Sequence, residues 1–492
     1  MIDSNEYPRI GRTATPFTMS FPFRIGLFSI GLSAYWEQFP GLRERLLSYN
    51  QQIEEKLSGM RADVIDLGMI DSPEKGLEAG HSLRQSDVAL VFIHAATYAL
   101  SSTALPAVRL ANVPVVVLNL SPQAAIDYEA FNRMNGRREM TGEWLAHCGA
   151  CPVPELANLF RRGGIRFEQV TGVLDAEDPA WNEIREWVDA AHVAHKIRHS
   201  RLGLMGHYYS GMLDIATDIT NICIVFGSHI ELLEVDELSA LRQAVMDEEI
   251  EHELALFAQA FDVQADCDPG ELRRAARTAK ALDRFVDTHD LHSLAYYYKG
   301  TGNEANEDTI SSIILGTSLL TARNIPVAGE YEVKNALAMK ILDSFEAGGS
   351  FTEYYAVDFT ADTILMGHDG PGHLAIADGK TKVRPLEVFH GKVGKGVSIE
   401  MSVKQGPVTL LSLTEEGRSY KFLIAEGESV AGEILKIGNT NSHYRFPLGA
   451  RGFIQEWNRH GPTHHCAVGV GHIASKLKKL ATLFGLEAVQ VC

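Results

Sequence analysis

Four short segments of this chain hold side chains that bind metal ions and carry protons. They read VAGEYEVKNA around Glu330, GGSFTEYYAVDF around Glu353, ILMGHDGPGH around His368, and GPTHHCAVG with the pair His464–His465. Carboxylates and imidazoles together make a mixed oxygen and nitrogen donor set. Such a set suits a labile divalent ion such as Mn²⁺, which also binds sugar hydroxyls. Each segment starts or ends at a Gly-rich turn, the placement expected of a site built on loops at the ends of rigid elements. Two adjacent histidines rarely face the same way, so at most one of His464 and His465 is expected to be a direct ligand. His373 shares the loop of His368 and competes with it. Singly, each residue has a plainer reading. Glu330 opens a helix, where a carboxylate complements the dipole. Glu353 among aromatics reads as a half-exposed strand residue. The ordered set of four is what points to a site.

Two other clusters have metal-like spacing. His192, His195 and His199 fall on one helical face, but their neighbours are basic, and the stretch reads as a solvated face. Glu249 and His252 have the spacing of a di-iron bundle, but no second copy exists and the segment reads as an exposed helix. The chain carries no P-loop, dinucleotide fingerprint or nucleophile elbow.

The elements that must position these residues follow from hydrophobic patterning. FRIGLFSIG (23–31), ADVIDLGMI (62–70), DVALVFIHA (87–95) and VPVVVLNLS (113–121) are apolar runs separated by amphipathic helices. That alternation specifies βαβ units and a parallel sheet. The stretch from Pro122 to His199 reads as polar and helical. A second α/β cycle runs through RLGLMGHYYSG, HIELLEVDEL, DLHSLAYYY and NIPVAGE. One helix then continues to a stop at Gly348–Gly349. The last third changes to short runs of period two with Gly or Asp turns, an antiparallel β module. It ends in the helix SKLKKLATLFG and the strand EAVQV. The expected domains are 1–198 and 199–348, both α/β, then a β-rich 349–492.

A chain of 492 residues is too long for one core. Its net charge of −18 argues against a nucleic-acid partner. No stretch approaches the ~20 apolar residues of a membrane span. The opening MIDSNEYPRIGRTATPF has no basic and apolar leader pattern, so no secretory signal is expected. Cys148 and Cys151 are the only close cysteine pair, and a second pair for a zinc knuckle is missing. The other cysteines read as buried thiols of a reducing cytoplasm.

From about residue 200 onward the chain resembles the L-arabinose isomerase family, and more loosely L-fucose isomerase. The resemblance rests on the four ligand segments in their order, FGSHIELLEVDEL, DLHSLAYYYKG and RPLEVFHGKVGKGVSIEMSVKQGPVTLL. It implies two Rossmann-like, doubly wound α/β domains followed by an antiparallel β-rich domain. It implies a Mn²⁺-dependent interconversion of aldoses and ketoses by a cytoplasmic homo-oligomer, a trimer or hexamer, with the sugar pocket shared between subunits. Glu330, Glu353, His368 and His465 match the family's metal ligands, and both glutamates match its acid/base pair. Met212 matches a pocket-lining methionine, and His464 is assigned to substrate. The family's first strand leads to a polar sugar-binding loop. Here that loop is GLSAYWEQF, which assigns Trp36 and Gln38 to substrate beside Tyr35. Asn135 stands where the family has a histidine. The expectation is therefore an isomerase whose best aldose is not L-arabinose. The alternatives are an epimerase or isomerase of another sugar, and a non-catalytic sugar-binding protein on the same scaffold.

Overall fold

Strand β1 (Arg24–Ile30), β2 (Asp63–Ile70), β3 (Leu90–Ala95), β4 (Val115–Ser121) and β5 (Phe167–Val173) form one parallel sheet in the order β2-β1-β3-β4-β5. These positions come from a computed structural model that describes residues 22–492 except 176, 301, 390, 391 and 394. The expectation of no secretory leader in the first seventeen residues falls outside the described residues. The chain divides into two compact units, one ending at His195 and one running from Lys196 to Cys492.

In the first unit every residue of β3 is buried, as a central parallel strand covered on both faces must be. Phe28, Val91, Ile93 and Val117 share one core with Leu83 and Val108 of the flanking helices. The strand β5 corrects the helical reading of the stretch after Pro122. It is an edge strand, and of its seven residues only Val170 is fully buried. Its polar sequence FEQVTGV lacks the apolar run that marks the other four strands. His195 corrects a second expectation. It is buried, and Phe23 stacks on His192 at 4.9 Å and approaches His195 at 5.8 Å. At His192 and His195 this helix face is packed rather than solvated, while His199 is exposed. Cys148 and Cys151 are joined as a disulfide, and of the free cysteines Cys223 and Cys492 are only half-buried.

The second unit begins with another parallel sheet: β6 (Arg201–Gly206), β7 (His229–Leu233), β8 (Ser293–Tyr297) and β9 (Val327–Ala328), in the order β9-β8-β6-β7. Helix Pro269–Thr288 covers it. Asp268 caps that helix by accepting from the backbone N–H groups of Gly270 and Glu271, with Pro269 in the first turn. The helix that follows β9, Val333–Ser344, is buried on all sides and ends one turn before the glycine pair.

After it come β10 (Ser350–Asp358), β11 (Thr363–His368), β12 (Gly406–Glu416), β13 (Ser419–Val430), β14 (Thr440–Arg445), β15 (His465–Val470) and β16 (Glu487–Gln490). Their order is β12-β15-β10-β11-β14-β13-β16, and the β12–β13 hairpin closes the first six into a ring. Closure removes exposed sheet edges. All ring pairs are antiparallel, while β16 lies parallel to β13. Gly367 sits where β11 meets β14 closely. A Cβ there would lie 1.8 Å from the carbonyl oxygen of Thr440, so only glycine lets the strand end reach its place. A small separate sheet joins Asp262–Val263 to Lys382–Pro385 and Val397–Glu400.

One buried carboxylate has a consequence for stability. Glu253 on helix Asp247–Ala260 is 1% exposed. Burial, then the charge of Asp283, pushes its pKa up to about 7. A carboxyl raised above its unfolded value contributes fully below about pH 4.5 and loses that contribution as pH rises through about 7. Glu253→Gln is expected to match the parent near pH 4 and to exceed it by roughly 2–3 kcal/mol at pH 8. Denaturant midpoints across that range check this, and a gap that does not open with pH would refute it.

Candidate metal centre

After β9 the backbone turns through two strained residues. Glu330 and Tyr331 have φ values of 58° and 66° without being glycine. Each such residue costs on the order of 1–3 kcal/mol and persists only where its surroundings over-determine it. Here the Tyr331 N–H donates to the Tyr296 carbonyl, and the Glu332 N–H to the Gly329 carbonyl, both at 3.1 Å. The buried helix starting at Val333 fixes the far side. The turn points Glu330 at the barrel end.

His465 is the first residue of β15, and its partner across the ladder is Glu353 on β10. Glu353 also pairs with Gly367 on β11, one residue before His368. Directly opposed residues of an antiparallel pair share a face, so register brings Glu353 and His465 together. Phe351, fully buried, packs against both imidazoles, its ring centroid 4.3 Å from those of His368 and His465, which themselves meet edge-on at 5.0 Å.

Around Glu330 the distances are short. His465 Nε2 lies 3.3 Å from its Oε2, His464 Nε2 3.7 Å from the same oxygen, and His368 Nε2 3.9 Å from Oε1. One donor atom each from Glu330, His464 and His465 falls within 4.8 Å of the others. His465 Nδ1 lies 2.5 Å from Glu332 Oε2, and both side chains are fully buried. With Glu332 ionised and Nδ1 as the donor, the lone pair of Nε2 is left facing Glu330. A carboxylate behind a histidine is the support that metal-ligating imidazoles have. Glu330 Oε2 and His465 Nε2, 3.3 Å apart, are buried polar atoms without a hydrogen-bond partner. Such atoms are rare, and a cation between acceptor atoms satisfies them. The donor set therefore fits a divalent ion.

Charge sorts the histidines. Burial, with the nearby His464 charge, drives His465 down to about 3, and burial likewise holds His368 at about 3. Both are neutral and have a lone pair to give. Burial works against a charged His464, but the carboxylates of Glu330 and Asp214 outweigh it and raise the ring to about 9. A protonated imidazole cannot ligate a metal. For Glu330, burial alone would raise the carboxyl, yet His464, His465 and His368 hold it below the usual range. Burial pushes Glu332 up to about 7, opposed in part by the charge of Lys334.

A cavity of about 540 Å³ opens here. Glu330, Glu353, His368 and His464 line it, with Asp369 and Met212. Tyrosines 209, 296, 297, 298, 354 and 355 supply much of the remaining wall. His465 sits behind this lining, fully buried. Trp36 and Gln38 belong to the first unit and do not line this cavity. Trp36 donates to Asp71 at 2.8 Å and Gln38 to the Ala34 carbonyl at 2.6 Å. Asn135 is exposed, and its N–H donates to Glu139. His373 faces Asp343 at 3.4 Å, away from Glu330. Glu249 takes two hydrogen bonds from Arg284, while His252 is exposed.

Glu332, Asp214 and Asp369 were not anticipated. Glu332 and Asp369 left a trace, each lying within two residues of an anticipated ligand. Asp214 left none.

Two parallel α/β sheets, a closed β-ring and Glu and His donors converging on a tyrosine-walled cavity define an α/β protein with a candidate metal-binding centre. Residues 348–487 match the L-arabinose isomerase C-terminal domain. The chain is 21% identical over 299 residues to the sulfoquinovose isomerase of Alkalicoccus urumqiensis, covering 60% of this chain and 66% of that one. It is 24% identical over 352 residues to the L-arabinose isomerase of Nocardioides sp., covering 68% of each. The matched part spans about two thirds of these relatives. The similarity to L-arabinose isomerase is carried most directly by residues 348–487. No helix among the described residues is long and apolar enough to cross a membrane.

Proposed function

We propose that this protein is a divalent-metal-dependent aldose–ketose isomerase acting on a small sugar. The observation that carries the reading is the line Glu332–His465–Glu330, a buried carboxylate fixing an imidazole whose free nitrogen faces a second carboxylate beside the cavity. That two relatives carry isomerase names supports the reaction class. Glu330, Glu353, His368 and His465 would hold the ion, and Mn²⁺ suits their oxygen and nitrogen donors. Once bound, the ion supplies Lewis acidity for the negative charge that develops on neighbouring sugar oxygens during proton transfer.

The chain's own residues move the protons. Glu353 removes the proton from C2 and returns it to C1. Glu330 carries the hydroxyl proton from O2 to O1, which completes the aldose-to-ketose balance. Tyrosine rings offer flat faces to the C–H side of a sugar and hydroxyls to its oxygens. The same reading takes the protein as a cytoplasmic homo-oligomer, trimeric or hexameric, which light scattering can decide.

The test is an aldose panel of pentoses, tetroses and 6-deoxyhexoses, followed by ketose formation. Turnover is expected with Mn²⁺, lost with EDTA and restored by the metal. With a pocket completed by a neighbouring subunit, as this reading takes it, another aldose should exceed L-arabinose in kcat/KM, since Asn135 and the Tyr35–Trp36 loop depart from the family pattern. At a hundred times Kd, Mn²⁺ should also stabilise the fold by about 2.7 kcal/mol. No ketose from any aldose with Mn²⁺ present would sink the proposal.

A further inference from the structure

Beyond the donors themselves, one contact joins two distant parts of the cavity wall. Asp214 lies in the segment 207–218 that follows β6, the segment that brings Tyr209 and Met212 to the cavity. Its Oδ2 accepts from the backbone N–H of His464 at 3.0 Å and faces the ring Nδ1 at 2.6 Å. Its own carbonyl accepts from Lys334 Nζ at 2.8 Å, and Lys334 is 4% exposed. Thr217 fastens the end of the segment. Its Oγ1 donates to Glu415 at 2.7 Å and lies 2.8 Å from the Tyr420 hydroxyl. One residue thus ties a wall segment, the head of the buried helix and the histidine pair.

We propose that Asp214 is a positioning residue for sugar binding, which orients His464 and docks the segment carrying Tyr209 and Met212 against it. The proposal rests on the isomerase reading for the identity of the ligand. The physical case is the double acceptance by one oxygen. Two hydrogen bonds to a single carboxylate fix both the backbone and the ring of His464, leaving only Nε2 directed at the cavity. Charge-assisted bonds of this kind hold geometry better than neutral ones. His465 is held separately by Glu332, so loss of Asp214 leaves the metal-facing imidazole in place.

The experiment uses the full-length Mn²⁺-loaded protein and two variants, Asp214→Ala and Asp214→Asn. Four quantities are read: Mn²⁺ affinity, thermal midpoint, Kd for a sugar alcohol by calorimetry, and KM and kcat for the best aldose. For Asp214→Ala the sugar-alcohol Kd and the KM are expected to rise at least tenfold, with Mn²⁺ affinity within threefold of the parent. Asn keeps an acceptor oxygen, so Asp214→Asn should recover most of the loss. Unchanged Kd in Asp214→Ala overturns the proposal. So does a loss that merely follows a fallen thermal midpoint or weakened Mn²⁺ binding, which marks a structural role. A parent that binds the sugar alcohol but isomerises nothing refutes the isomerase reading, while the Kd comparison still judges Asp214. A parent that binds no sugar alcohol overturns both.

Discussion

Glu353→Gln is expected to keep the fold and to lose on the order of 10²–10⁴-fold in kcat, the usual cost of removing a general base. The amide matches the carboxylate in shape, so the β10 ladder, in which Glu353 pairs with both His465 and Gly367, has no reason to change. An amide cannot accept the C2 proton. Glu353 is half-buried in the cavity wall rather than in a hydrophobic core, which keeps the fold tolerant of the change. The readouts are single-turnover rates with saturating Mn²⁺ and exchange of the C2 proton with solvent. A mutant with parental turnover would mean that another group carries the proton.

Glu332→Gln is expected to weaken Mn²⁺ binding by about 10–100-fold, the loss seen when the partner behind a ligating histidine is altered. Glu332 touches no cavity surface, since it is fully buried behind His465. Its effect must pass through the imidazole. The amide can still accept from Nδ1 but no longer offsets the charge that the ring acquires on ligation. Glu332→Ala goes further and leaves a buried N–H without a partner, which costs about 1–3 kcal/mol in addition. Mn²⁺ titration by electron paramagnetic resonance measures the first effect and denaturant unfolding the second. Parental Mn²⁺ affinity in Glu332→Gln would remove His465 from the ligand set.

Local patterning made much of the architecture legible. The apolar runs of β1, β3 and β4 announce a parallel sheet, because strands covered on both faces must be apolar throughout. The change to period two after Gly349 announces the β-rich part. Donor chemistry was legible too, because Glu and His are the side chains that suit such an ion. Edge strand β5 escaped because FEQVTGV carries no apolar run, unlike ADVIDLGMI of the opposite edge strand β2. The face of His192 and His195 was misread for a related reason. Charge in the sequence around a histidine does not reveal that Phe23 covers it.

What the sequence by itself determined, then, is the set of elements and the kinds of atoms available for chemistry, since both depend on residue type and on spacing within a few turns of chain. Only the tertiary structure decided which of those atoms meet. Glu332 and His465 are 133 residues apart, and Asp214 and His464 are 250 apart. Their contacts follow from ladder register, from the closure of β12 on β13, and from a left-handed turn at Glu330. The difference between His464 and His465 has the same origin. Two identical residues, adjacent in sequence, are shifted in opposite directions because the carboxylates of Glu330 and Asp214 draw His464 up while burial holds His465 down. Burial and long-range partners set a proton affinity, and neither is written in the neighbouring residues.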